Sequence, residues 1–262
     1  MDRASLAAEA LFDMRLTKRT AAALPPDAVP STLADAYRTQ ELLVGKFLAR
    51  LGGAAIGYKA AATNVTAQRQ MDVDGPFFGT LLSATTHRSP ATLPAANFTL
   101  RIVEAEFGFE MGADVPASNV PYTAETVAPF VAFALPAIEV VDHRYHDWRL
   151  VGAPSLAADN AIHGAWVAGE PVPDWRGLDL SRHPVSVVVN GEPWRVGSGA
   201  NVLGNPLNVV AWLANELPKH GRRLRRGEKV STGTTAEVYF ASAGDRVTAD
   251  FGPLGKAEVR FE

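Results

Sequence analysis

The stretch RIVEAEFGFEMG, Arg101 to Gly112, decides how this chain is read. Val, Phe and Met mark it as a β-strand, and in a strand successive side chains alternate between two faces. Val103, Ala105, Phe107, Phe109 and Met111 then share one face, which is a core face. Glu104, Glu106 and Glu110 share the other. Neighbours on one face stand about 6.6 Å apart along a strand. Two carboxylates at that spacing repel unless water screens them or a cation joins them. Two readings are open: an amphipathic strand with an acidic solvent face, or a site for a hard cation such as Mg²⁺, Mn²⁺ or Ca²⁺.

A second stretch raises the weight of the cation. FALPAIEVVD (Phe133 to Asp142) is apolar except for Glu139 and Asp142. A glutamate inside an apolar strand is costly unless something pairs with it. Arg144 is close enough in sequence to pair with either acid; a bound cation is the other solution. Lys59, in AIGYKAAATN, is equally out of place among small apolar neighbours. It reads either as a side chain snorkelling from a strand end, or as a lysine of lowered pKa that moves protons or holds a carboxylate.

Composition narrows the classes. The chain has 262 residues, 47% hydrophobic and 20% charged, enough for a sizeable core. A net charge of -3 gives no footprint for nucleic acid or an anionic membrane. The absence of cysteine excludes disulfides, zinc–thiolate sites and a thiol nucleophile. The first residues hold acids and no long apolar run, so a cytoplasmic protein without a secretory signal is expected. The basic run RRLRR at Arg222 to Arg226 is short and reads as a solvated loop.

Organisation changes near residue 55. Before it the pattern is helical: SLAAEALFDMRL, a Pro-rich break, then TLADAYRTQELLVGKFLARL, capped by Ser31 or Thr32 and stopped at Gly52-Gly53. Tyr37, Val44, Phe47, Leu48 and Leu51 fall near one stripe of the second helix. After residue 55 strands dominate. Asn190-Gly191 signals a tight hairpin, and Asn205-Pro206 starts a helix over LNVVAWLANEL. Many strands with few helices point to an α+β fold with mixed sheets rather than alternating βαβ units.

Several segments occur together in an order that resembles one family: AYRTQ, IGYKAAATN, RIVEAEFGFEMG, PAIEVVDHRY, ADNAIHGAWVAG, VLGNPLNVVAWLANEL and VSTGT. From about Ala36 to Phe261 the chain is similar to the 2-keto-4-pentenoate hydratase branch of the fumarylacetoacetate hydrolase superfamily. The resemblance implies a helical N-terminal cap over residues 1–54 on a β-rich catalytic roll over 55–262, assembled as a homo-oligomer. It implies Mg²⁺ or Mn²⁺ held by Glu104, Glu106 and Glu139, with Lys59 catalytic. Asn64, Thr232, Gly233 and Thr234 fall in the segments that face substrate in relatives. The implied reaction adds water to a 2-oxo- or 2-hydroxy-alkenoate from aromatic catabolism through a metal-stabilised enolate. The alternatives are a decarboxylase of a related 2-oxo diacid, or a non-catalytic subunit that partners one. Relatives often read GYKVGLTS where this chain has GYKAAATN. The small Ala61 and Ala62, with the hydroxyls of Thr232 and Thr234, predict a wider pocket suited to a polar substrate tail. His163 replaces a small residue common in relatives and is expected to be packed or surface-exposed rather than catalytic.

Overall fold

A computed structural model describes residues 1–262. Six helices occur: α1 (Arg3–Thr17), α2 (Leu33–Leu51), α3 (Val65–Met71), α4 (Ala124–Val127), α5 (Gly152–Ala158) and α6 (Leu207–Glu216). The strands are β1 (Ala55–Ala61), β2 (Phe77–Leu82), β3 (Thr86–Arg88), β4 (Ala91–Leu93), β5 (Ile102–Met111), β6 (Val131–Val141), β7 (His163–Ala168), β8 (Pro184–Val189), β9 (Glu192–Ser198), β10 (Lys229–Thr234), β11 (Tyr239–Phe240), β12 (Arg246–Asp250) and β13 (Lys256–Phe261).

The strands form two sheets. The larger runs β2-β1-β10-β5-β6-β7-β3, with β11 added beside β5. The smaller runs β4-β13-β12-β8-β9. Pairing is mixed: β1 lies parallel to β10, whereas β10, β5, β6 and β7 are successively antiparallel. The apolar face of β5 meets the smaller sheet, where the Phe107 and Phe251 rings lie edge to face at 5.0 Å. That contact places the opposite, acidic face of β5 away from the inter-sheet core.

Local signals explain several boundaries. The Thr32 side chain accepts the Asp35 N–H and caps α2. Asn190 and Gly191 take φ of 53° and 90° between β8 and β9, as a tight hairpin of the primed type requires. The Asn205 side chain accepts the Leu207 N–H at the start of α6. The buried face of α2 is Ala36, Tyr37, Gln40, Leu43 and Val44. Leu51, assigned to that face from sequence, is 53% exposed at the end of the helix, where the buried face stops at Val44. Pro121 to Phe130 holds only the single turn of α4 and a 3₁₀ turn. One continuous apolar cluster joins α1 and α2 to both sheets.

Candidate active site

Strands β5 and β6 pair so that Glu104 stands directly opposite Glu139. Like charges opposed across a ladder are destabilising, so this register is explained only by something that offsets the repulsion. Glu106, two residues along β5, projects from the same face. One oxygen from each of Glu104, Glu106 and Glu139 lies within 4.8 Å of the others. Glu106 and Glu139 are fully buried, and Glu104 is half-buried. Ser231 donates its hydroxyl to Glu106 Oε2, but Glu106 Oε1 has no partner. The fourth acid, Glu110, is drawn off to Lys229 across the β5–β10 ladder.

Lys59 enters through β10, which lies between β1 and β5; Lys59 pairs with Ser231, and Ser231 with Gly108. The lysine is 2% exposed. Its Nζ donates to the Ala161 carbonyl at 3.1 Å and sits 3.1 Å from Glu139 Oε2. That second contact is an ion pair without hydrogen-bond alignment, which leaves Oε2 open to another partner. Burial pulls the Lys59 pKa down, but Glu139, Glu104 and Glu106 more than reverse this, and the net direction is upward. With no ion bound, the three glutamates therefore favour the charged lysine, the direction opposite to the lowered pKa of one sequence reading. The carboxylates divide. Burial and the Glu139 charge push Glu104 up to about 7 and push Glu106 well above the ordinary range. Glu139 is held below it, because Lys59 and His163 outweigh its burial.

His163 is fully enclosed, and burial keeps it neutral. Its Nδ1 lies 2.9 Å from Glu139 Oε1 and its Nε2 lies 3.3 Å from Thr85 Oγ1. A carboxylate can only accept, so Nδ1–H donates to Glu139 and Nε2 faces the Thr85 hydroxyl. The histidine is thus buried, as one sequence reading had it, but it touches the acidic cluster. Arg144 pairs with Asp142, whose carboxylate also accepts the Thr99 and Leu100 N–H groups. That arrangement satisfies Asp142 and removes Arg144 as a partner for Glu139.

Two connected spaces open over the cluster. A small inner chamber of about 60 Å³ is lined by Lys59, Glu104, Asn64 and Gly233, among others. It continues into an outer cavity of about 760 Å³, walled by Ile102, Val141, Ile162, Leu203 and Phe240 and roofed by α3. Glu104, Asn64 and Thr234 line both spaces. Gly233 has φ of +96°, and a Cβ there would lie 1.9 Å from Thr63 Oγ1, so the close approach of Thr63 demands glycine.

Thr232 is not brought to either space. Strand alternation puts it on the face opposite Ser231, and its hydroxyl donates to the Phe107 carbonyl; the register shift after Ser231 is what returns Thr234 to the cavity side. Thr234 donates to the Ala236 carbonyl, and Asn64 Oδ1 caps α3 through the Ala67 N–H. The hydroxyls expected to meet a polar substrate tail are therefore already engaged, and the tail cavity is largely apolar. Ser231 and His163 were missed as site residues. Alternation along β10 carried a signal for Ser231, since it shares a face with Gly233; no local signal places His163 beside Glu139.

The donor set fits a divalent cation. It is all oxygen, which suits hard cations, and both Glu106 Oε1 and Glu139 Oε2 are buried acceptors without a hydrogen bond. Oxygens bound at about 2.1 Å from Mg²⁺ can stand at most about 4.2 Å apart, so small side-chain rotations suffice to close the cluster. Three carboxylates facing one lysine leave an excess of negative charge that a cation, or protons on Glu104 and Glu106, must offset.

Comparison with known proteins agrees with this geometry. Residues 52–262 match the family model described as fumarylacetoacetate hydrolase, C-terminal. The 2-keto-4-pentenoate hydratase of Paraburkholderia xenovorans is 32% identical over 256 residues, 98% of this chain and 94% of that protein. The 2-hydroxyhexa-2,4-dienoate hydratase of Comamonas testosteroni is 31% identical over 253 residues, 96% of this chain and 94% of that protein. Among solved structures, the 4-oxalocrotonate decarboxylase of Pseudomonas putida G7, complexed with magnesium and adipate, superposes with a TM-score of 0.90 at 27% identity. The alignment covers 99% of this chain and 97% of that one.

Proposed function

The chain belongs to the fumarylacetoacetate hydrolase family, and from that premise we propose that it is a metal-dependent hydratase, a C–O lyase acting on a 2-oxo- or 2-hydroxy-alkenoate. The observation that carries the reading is the meeting of Glu104, Glu106 and Glu139 beside Lys59, with Glu104 and Lys59 lining the inner chamber. The similarity to curated hydratases over nearly the whole chain supports it.

Glu104, Glu106 and Glu139 are the proposed ligands, and Mg²⁺ or Mn²⁺ the proposed cation. When bound, it would act as a Lewis acid toward the 2-oxo carbonyl and the neighbouring carboxylate of the substrate. The chain's own residues supply the rest. Lys59, held protonated, spends one N–H on Ala161 and directs its charge at Glu139. Its remaining N–H groups reach the substrate carboxylate or the oxygen on which charge develops. The Asn64 NH₂ makes no other hydrogen bond within the protein, and it orients the water that adds at C4. Gly233 and Thr234 shape the inner chamber by contact. The apolar walls at Val141 and Ile162 keep bulk water off the carbon skeleton. The protein is proposed to act in the cytoplasm as a homo-oligomer; no helix is long and apolar enough to cross a membrane.

The test is turnover of 2-hydroxypenta-2,4-dienoate with Mg²⁺ or Mn²⁺, followed by loss of dienol absorbance and by NMR of the 4-hydroxy-2-oxo acid. EDTA should abolish it. Tight Mn²⁺ binding with no hydration of any alkenoate would reject the hydratase reading. The likeness to the decarboxylase favours a second reading, in which Arg149, at the outer cavity, meets the far carboxylate of a 2-oxo diacid. CO₂ release from such a diacid, without hydration of the monoacid, would select it.

A further inference from the structure

Between α5 and β7 the backbone enters the left-handed region three times in succession: φ is 52° at Asn160, 50° at Ala161 and 57° at Ile162. Asparagine tolerates this conformation; alanine and above all β-branched isoleucine do not. Such strain persists only where the surroundings over-determine it. The turn serves the site at two points. Its Ala161 carbonyl takes the Lys59 ammonium at 3.1 Å, and His163, where it ends, donates to Glu139 at 2.9 Å. The Asn160 side chain meanwhile pairs with both the N–H and the carbonyl of Thr80.

One guanidinium grips both ends of the turn. Arg15, in the last turn of α1, donates Nε to Asp159 Oδ1 at 2.6 Å, Nη2 to the Asp159 carbonyl at 3.0 Å, and Nη1 to the His163 carbonyl at 2.7 Å. Its side chain is 12% exposed and the Asp159 side chain is fully enclosed. A lysine cannot make three such divergent bonds at once. Arg15 also lies outside residues 52–262, the part that matches the family model.

We propose that Arg15 is a positioning residue, which sets Lys59 and Glu139 by clamping the left-handed turn from Asp159 to His163. The proposal rests on the reading of Lys59 and Glu139 as site residues. It makes the N-terminal helix part of the catalytic apparatus without touching substrate.

The experiment compares Arg15→Lys with Leu11→Ala, a cavity one turn earlier in the same helix that removes none of these hydrogen bonds. Three quantities are read on each full-length variant: Tm, Mn²⁺ affinity of the metal-free protein by calorimetry, and kcat and KM on the dienoate. Leu11→Ala should lower Tm with Mn²⁺ affinity and kcat within about twofold of wild type. Arg15→Lys should weaken Mn²⁺ binding by roughly tenfold or more, the scale for losing support of a ligand, and lower kcat more than it raises KM. If Arg15→Lys does not fold, Arg15→Ala with millimolar guanidinium takes its place, and added guanidinium should restore Mn²⁺ affinity. Arg15 variants with wild-type affinity and kcat, or losses no larger than those of Leu11→Ala at equal Tm, would overturn the proposal. Failure of the hydratase reading is separate: wild type would then bind Mn²⁺ without turning over the dienoate, and the affinity comparison would still decide the role of Arg15.

Discussion

Each methylene added to the substrate tail is expected to raise kcat/KM about fourfold. The inner chamber, about 60 Å³, suffices for the oxo-acid head, whereas the outer cavity, about 760 Å³, is far larger than the two or three terminal carbons of a pentadienoate. Its apolar walls are Ile102, Val141, Ile162, Leu203 and Phe240, with Gln68, Gln70, Arg149, Asn201 and Glu237 completing the lining, and the nearby hydroxyls of Thr234 and Thr235 donate to the Ala236 and Ala105 carbonyls. Burying one CH₂ contributes about 0.8 kcal/mol, which at 25 °C is close to a factor of four. The gain should continue through several carbons and stop at the mouth, where Phe240 is 61% exposed. The assay is initial-rate hydration of 2-hydroxy-2,4-dienoates with methyl, propyl and phenyl tails under fixed Mn²⁺. Thr66→Phe, on α3 and lining the outer cavity but not the inner chamber, should flatten the series and leave the pentadienoate within a few-fold of wild type. Falling kcat/KM at the first added methylene, or a preference for a hydroxylated or carboxylated tail, would refute the reasoning.

Lys59→Met should fold and retain Mn²⁺ while losing roughly 10²–10⁴-fold in kcat, the range for a lost proton-transfer or charge-stabilising group; turnover within a few-fold of wild type would remove Lys59 from the chemistry. Metal and pH should be linked. Glu104 and Glu106 have raised pKa values in the folded state, so folding of the metal-free protein takes up protons there, and their contribution to stability falls as pH rises from about 4.5 through about 7. Glu139 is lowered and Lys59 raised, so neither titrates in that window. His87, His143 and His163 are lowered and act in the opposite direction below about pH 6.5, so the readout is the Tm difference between Mg²⁺-loaded and EDTA-treated protein. That difference should widen between pH 6 and pH 8, and a constant difference would contradict the assigned protonation. Gly233→Ala places a methyl 1.9 Å from Thr63 Oγ1 at a φ of +96° and should destabilise by about 2–4 kcal/mol in urea unfolding; a loss below about 1 kcal/mol would mean that Thr63 rotates away freely.

Legibility followed the range of the interactions. The face of β5 that carries Glu104 and Glu106 was readable because alternation is local, and Glu139 stood out because an acid among apolar strand residues is costly unless something pairs with it. The Asn190-Gly191 hairpin and the Thr32 cap were readable for the same reason. Thr232 was misjudged because it was taken together with Thr234, although alternation puts it opposite Ser231 and Gly233; only the register shift that brings Thr234 to the cavity is set by pairing with β5. The direction of the Lys59 pKa was misjudged because it depends on three glutamates arriving from two other strands. The role of Arg15 was out of reach, since its partners lie 144 and 148 residues away.

The parallel pairing of β1 with β10 also governs when the site comes into being. Gly57 through Lys59 pair with Lys229 through Ser231, so the strand that joins the lysine to the glutamates emerges from the ribosome more than a hundred residues after β1 and β5. Until then β1 and β5 each present an open edge, and pairing between such distant segments is slow. A nascent chain lacking β10 holds every proposed ligand, yet has no strand to bring Lys59 to them. Competence for catalysis should therefore arrive abruptly, with insertion of β10, rather than grow as the chain lengthens. Over the same interval the exposed edges of β1 and β5 are the segments most prone to mispair with another copy.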